Sequence, residues 1–262
     1  MGSGMSAENT WQERIAAGRF TGKTIVVTGA GSGIGKATAL RVAKEGGKVI
    51  AADISAGRLE ELVAENPELD LVVVAGDITE QEIADRVVAA GEGRIDGLAN
   101  VAGIMDKFEP IHEVEDATWE RVFNVNVNSI LKLTRGVLPL MLDAGHGAVV
   151  NVASEAGLRG SAAGVAYTAS KHAVIGMTKN SAVMYAKKGI RFNAVAPGAV
   201  QTNIEAPMDS VFAQEAIGPL MSIIPGLATA SQLAASITFL LSEDSTNING
   251  VVVASDGGWS AI

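Results

Sequence analysis

The 262-residue chain contains no cysteine. It can therefore form no disulfide, no thiolate zinc site and no cysteine nucleophile, which excludes alcohol oxidation on cysteine-ligated zinc. Histidine is scarce too: His112, His146 and His172 are scattered and make no HxxxH or HxH pair, so no metal site is expected. Basic residues are outnumbered, 20 Lys plus Arg against 29 Asp plus Glu, for a formal net charge of −9. Without a basic stripe, nucleic acid and anionic membrane surfaces are not expected as partners. No apolar run reaches the roughly 18 residues of a membrane span. The N-terminal "MGSGMSAENT" lacks the basic flank and apolar core of a signal peptide, so the cytoplasm is the expected compartment. Its leading "MGSG" looks like an expression scar, and residues 1–19 read as an N-terminal extension.

Hydrophobic residues make up 48% and charged residues 19%, the balance of a well-packed enzyme, although aromatics are only 4%. Short apolar runs recur at 24–28, 48–53, 71–75, 96–102, 147–153, 190–196 and 250–255. Many are β-branched and apolar at every position, as strands buried on both faces of a parallel sheet must be. Helix-length segments fall between them, including 33–46, 79–91, 115–144, 166–188 and 230–242. This alternation predicts a doubly wound α/β fold of Rossmann type, a seven-stranded parallel sheet with helices on both faces. Ligands in such a fold sit beyond the carboxyl ends of the strands. A single domain is expected over 20–262, with one irregular region at 203–229.

Directly after the first apolar run comes "TGAGSGIG", with glycines at 29, 31, 33 and 35, leading into a helical segment. Glycines there let the backbone turn tightly and approach a pyrophosphate at a helix N-terminus. The second run ends in Asp53, where a carboxylate can accept hydrogen bonds from both adenosine ribose hydroxyls. The 2′-phosphate of NADP would meet that anion, and neither Ser32 nor Ile54 and Ser55 supplies a cation to hold it. NAD is therefore the expected cofactor, with NADP disfavoured.

Farther along, "YTASK" sets Tyr167 and Lys171 one helical turn apart. Taken together, TGxxxGxG and "YTASK" resemble the compact single-domain branch of the short-chain dehydrogenase/reductase family, from about Thr21 to Gly258. Further family signposts follow in order: "GDI" with Asp77, "NVAG" at 100–103, "VNVNS" with Asn126, "NVASEAG" with Ser154 and "PGAVQT" at 197–202. Val101 and Ala153 replace residues common in these motifs.

The resemblance implies a catalytic set of Asn126, Ser154, Tyr167 and Lys171. It also implies a cofactor site of Gly29, Gly31, Ser32, Gly33, Ile34, Gly35 and Asp53, with Asp77 and Ile78 at the adenine. Asn100, Ala102 and Gly103 would border the cofactor, and Pro197, Gly198, Val200 and Thr202 would hold the nicotinamide carboxamide. In this scheme Tyr167 is the general acid/base, its phenolate favoured by the Lys171 ammonium and by oxidised nicotinamide, and Lys171 also bonds the nicotinamide ribose. Ser154 holds the substrate oxygen. Asn126, a poor helix former in mid-helix, opens the backbone to hold a water that relays protons to Lys171.

The expected reaction interconverts a hydrophobic secondary alcohol and its ketone. The family's mobile lid falls on 203–229, where Met208 and Phe212 are candidate substrate contacts beside Ser154 and Tyr167. Glu155 either recognises an amino alcohol or faces solvent at the strand end. The alternatives are a 3-oxoacyl-carrier-protein reductase, which would need exposed cations at the site mouth, and a non-catalytic nicotinamide-binding sensor. The resemblance further implies a homo-oligomer, a tetramer above all, built on the 115–144 and 166–188 helices and the C-terminal "SDGGWSAI".

Overall fold

A computed structural model describes residues 11–202 and 207–261. The start of the expected lid, 203–206, and the leading residues 1–10 lie outside them. The apolar runs become β1 (Thr24–Thr28), β2 (Lys48–Asp53), β3 (Leu71–Ala75), β4 (Gly97–Asn100), β5 (Gly147–Val152) and β6 (Ile190–Pro197). Two short strands, β7 (Val200–Gln201) and β8 (Ala228–Thr229), pair with each other before β9 (Val252–Ser255). The main sheet is parallel and runs β3-β2-β1-β4-β5-β6-β9.

Helices α1 (Gly33–Lys44), α2 (Ala56–Glu65), α3 (Gln81–Ala89), α4 (Asp116–Phe123), α5 (Ser129–Ala144), α6 (Val165–Tyr185), α7 (Val211–Met221) and α8 (Ala230–Leu241) connect the strands. Side chains alternate across each strand, so Ile25 and Val27 pack with Val42 of α1 and Ile237 of α8. Between them, Val26 points the other way and packs with Leu133 and Val137 of α5. Both faces are thus covered, which is why the strands carry no polar alternation. Truncating a fully buried residue such as Leu133 to Ala would cost about 2–5 kcal/mol.

Three features differ from expectation. Helix α2 was not marked by the apolar pattern, since only Leu59 and Leu62 are buried in it. The 203–229 region is not irregular throughout: Ser210 accepts from the Ala213 N–H and starts α7. The 115–144 segment is not one α-helix, because a π-helical turn, Asn124–Asn128, separates α4 from α5. Within that turn Asn126 is completely buried. Its Oδ1 accepts from the Ile104 N–H at 2.9 Å, and its Nδ2 donates to the Ile104 carbonyl at 2.9 Å and to Ser170 Oγ at 3.1 Å.

Strand β1 pairs with β2 on one side and β4 on the other, so the connections diverge and leave a crevice beyond their carboxyl ends. Thr28 ends β1 there, and its hydroxyl oxygen accepts from the N–H groups of Val101 and Ala102, fixing the chain as it leaves β4. Among the described residues, no helix is long and apolar enough to cross a membrane.

Candidate active site

The crevice is a cleft of about 510 Å³ that runs from Asp53 to Tyr167. Gly29, Ser32, Gly33, Ile34 and Gly35 line its floor at the start of α1, and the Ser32 side chain does not cap that helix. The first N–H groups of α1 are thus left to favour an anion. At the far end Asp53 Oδ2 accepts from the Gly31 N–H and Oδ1 from the Ser55 N–H, both at 2.9 Å. Each oxygen keeps a lone pair for a further donor. A Cβ on Gly31 would lie 2.8 Å from the Asp53 carboxyl carbon, so only glycine allows this approach. Asp77, Ile78, Ala102, Gly103, Pro197, Gly198, Val200 and Thr202 also line the cleft. Size, acceptors and uncapped helix start all fit a dinucleotide.

At the opposite end β5 delivers Ser154, and α6 carries Tyr167 and Lys171 on one face. The ammonium of Lys171 lies 5.3 Å from the Tyr167 ring centroid. Its Nζ donates to the Val152 carbonyl at 2.9 Å. A methyl group on Gly103 would stand 3.3 Å from Asn126 Oδ1 and 3.4 Å from Lys171 Nζ, so the two flank the same edge of the cleft. Burial pushes the Tyr167 phenol up to about 12, a hydrogen bond with Ser154 pulls it down, and the Asp106 carboxylate pushes it up again. Burial also lowers Lys171 to about 8. The phenol is therefore not acidic in the cofactor-free protein, where desolvation dominates and the Lys171 ammonium is directed at a carbonyl.

Several expected site residues sit elsewhere. Asn100 does not line the cleft: its Nδ2 donates to Asn151 Oδ1 at 2.8 Å and to Thr134 Oγ1 at 3.3 Å. Asn151 in turn donates to Thr178 Oγ1 at 2.9 Å. The Asn100 Nδ2 thus ties β4 to β5 and α5, and through Asn151 to α6. Neither Met208 nor Phe212 lines the cleft. Phe212 is 55% exposed and sets its ring edge-on to His112, with centroids 5.1 Å apart. Met208 packs against the cluster that contains Tyr167 and Phe108. From the same region Met221 and Ile224 line the cleft instead.

Glu155 does not face solvent: it is 1% exposed and pairs with Arg159 one turn on. Burial and the neighbouring Asp256 carboxyl raise its own carboxyl, against the pull of Arg159. Glu155 lines the cleft, and Arg159 already pairs with its carboxyl.

The structure also brings in residues the motifs did not mark. Arg58 of α2 lines the cleft beside Asp53, so the cation missing from the residues next to Asp53 is supplied one turn later. Met105 and Phe108 after β4, together with Trp259, wall the Tyr167 end. Trp259 is buried within its own chain, and Arg159 stacks over its ring at 4.6 Å. With only three Trp and six Phe in the chain, their scarcity marks each ring as a candidate wall of the cleft.

The short chain dehydrogenase family profile matches residues 23–211. The chain is 40% identical over 255 residues to 3beta-hydroxysteroid dehydrogenase 2 of Eggerthella lenta, covering 92% of this chain and 96% of that protein. It is 37% identical over 256 residues to the levodione reductase of Leifsonia aquatica, covering 93% and 96%. A crystal structure of levodione reductase superposes with a TM-score of 0.84 at 36% identity, over 93% of this chain and 99% of that one.

Proposed function

Because the chain belongs to the short-chain dehydrogenase/reductase family of NAD(P)-dependent oxidoreductases, we propose that it interconverts a neutral, hydrophobic secondary alcohol and its ketone. The observation that carries this reading is the shared cleft: Ser154, Tyr167 and Lys171 meet at one end of it and Asp53 stands at the other. NAD is the preferred cofactor in this reading, since Asp53 offers acceptors to ribose hydroxyls and repels a 2′-phosphate, while Arg58 tempers that repulsion. Relatives named for levodione and a 3β-hydroxysteroid support a cyclic, apolar substrate, as do Phe108, Trp259 and Met221 around the Tyr167 end.

When bound, the nicotinamide supplies the hydride acceptor or donor. Ser154 hydrogen-bonds the substrate oxygen and stabilises the charge that develops on it. Tyr167 takes the hydroxyl proton in oxidation and returns it to the carbonyl oxygen in reduction. In the cofactor-free protein burial holds the phenol up near 12, so the Lys171 ammonium and an oxidised nicotinamide are what would favour its ionisation during turnover. Lys171 holds its positive charge beside the phenol and donates to the cofactor ribose. Asn126 keeps the π-helical turn open next to Lys171, where a water can relay protons.

Homo-oligomer contacts are assigned to the exposed apolar side chains Leu131 and Leu142 of α5 and Val183 and Met184 of α6. The test is nicotinamide absorbance with cyclic secondary alcohols and ketones, using both cofactors. Tyr167→Phe should abolish turnover while NADH binding stays intact; an active Tyr167→Phe enzyme would refute the assignment.

A further inference from the structure

The chain between β4 and α4 carries a buried carboxylate that the mechanism above does not use. Asp106 is 1% exposed. Its Oδ1 accepts from the N–H groups of Phe108 at 3.0 Å and Gly164 at 3.1 Å, and its Oδ2 accepts from the Tyr167 N–H at 2.9 Å. Two of these donors belong to the start of α6, across the cleft wall from Asp106 itself. The Val165 N–H donates to the Glu109 carbonyl at 3.0 Å and joins the same two segments again.

Phe108, held by the first of these bonds, has φ of +60°. A bulky side chain in the left-handed region is a true outlier, and such conformations persist where neighbouring contacts enforce them. Its ring is 6% exposed, lines the cleft and packs in one cluster with Tyr167, Ala162 and Trp259. The strained backbone therefore places an aromatic wall at the end of the cleft where the phenol lies.

We propose that Asp106 is a positioning residue that sets the Tyr167 phenol and the Phe108 wall in register, and that Phe108 limits the size of the ring-containing substrate. The inference rests on the oxidoreductase reading given above. Three N–H donors converge on Asp106, and a carboxylate accepts on both oxygens; an asparagine in its place turns an NH2 group toward at least one of them. The charge also complements the start of α6. That same charge pushes the Tyr167 phenol up, which hinders phenolate formation, so Asp106 is accounted for by geometry rather than by tuning the base.

The test compares Asp106→Asn, Asp106→Glu and Phe108→Ala with the wild-type protein by amide hydrogen exchange and by steady-state kinetics on cyclohexanone and 2-decalone. In Asp106→Asn the Gly164 and Tyr167 amides should exchange about tenfold faster or more, while β5 amides keep their protection. Its kcat should fall about 30-fold or more with NADH affinity within about twofold, because its contacts lie away from the cofactor end. If Asp106→Asn does not fold, Asp106→Glu decides, since it keeps charge and acceptors but displaces them by one methylene: kcat should fall with NADH affinity retained. Phe108→Ala should raise the kcat/KM ratio of 2-decalone to cyclohexanone about tenfold. Unchanged exchange and kcat in the Asp106 variants, or an unchanged ketone ratio in Phe108→Ala, would overturn the proposal. A wild-type enzyme silent on every ketone and alcohol would instead sink the oxidoreductase reading, and the exchange measurement would still decide the hold of Asp106 on Tyr167.

Discussion

Replacing Lys171 by Met should make the cofactor-free protein more stable while abolishing its turnover. Lys171 is 3% exposed, and burial lowers it from 10.5 to about 8. The unfolded chain therefore holds more protons than the folded one between pH 8 and 10.5, and wild-type stability climbs across that window. Below about pH 8 the folded state carries the full cost of the buried ammonium. From the shift this is about 3 kcal/mol.

Methionine has nearly the same length, fills the space with an apolar chain and needs no partner. Its cost is the hydrogen bond that Lys171 gives the Val152 carbonyl, about 1–2 kcal/mol if that oxygen is left short of a donor. The net gain at pH 7 is about 1–2 kcal/mol, a rise of roughly 2–8 °C in Tm for a protein of this size. Calorimetry of wild type and Lys171→Met from pH 6.5 to 10.5, without nicotinamide, measures it. The advantage should be largest below pH 8, vanish between about pH 9 and 10, and reverse by about pH 10.5 to roughly 1 kcal/mol in favour of wild type, since Lys171 is then neutral in the folded state and only half-protonated in the unfolded one, while the lost hydrogen bond remains. Tyr167, at 10 in the unfolded chain and about 12 in the folded one, begins to lower stability only from about pH 10 upward, at the end of that window. A Lys171→Met protein that melts lower at pH 7, or a stability difference that does not change with pH, would refute the reasoning.

Asn100→Ala should cost about 1–3 kcal/mol by leaving the buried Asn151 oxygen without its donor, yet leave NADH affinity within about twofold; thermal melts and a binding titration separate the two. A lost NADH affinity at unchanged Tm would return Asn100 to the cofactor. Arg58→Ala should lower kcat/KM with NADP relative to NAD by about tenfold, and Asp53→Ala should move the ratio the other way. Equal effects on both cofactors would show that neither side chain reads the 2′ position.

Elements whose signal is local were legible in the chain. The β-branched runs at 24–28 and 147–152 have one stable use, as strands covered on both sides, and the glycines after β1 have one backbone environment that needs them. The spacing of Tyr167 and Lys171 fixes their common face through helix geometry alone. Helix α2 escaped notice because just two of its positions face the core, and with it went Arg58, which reaches the cleft only from that helix. The roles of Asn100 and Glu155 depend on partners far along the chain: Asn151 for one, Asp256 for the other. Phe212 and Trp259 were both apolar residues near the end of the chain, and nothing local says which ring turns outward.

The sequence by itself thus determined the fold, the glycine loop at the mouth of the cleft and the shared face of Tyr167 and Lys171, because helix and strand periods and glycine sterics act over a few neighbouring residues. Tertiary structure alone decided which groups are desolvated, which polar side chains are spent on holding strands together, and which aromatic rings line the cleft. Those outcomes follow from burial and contacts between residues distant in sequence, such as Asp106 with Tyr167 and Arg159 with Trp259, and no local pattern encodes them.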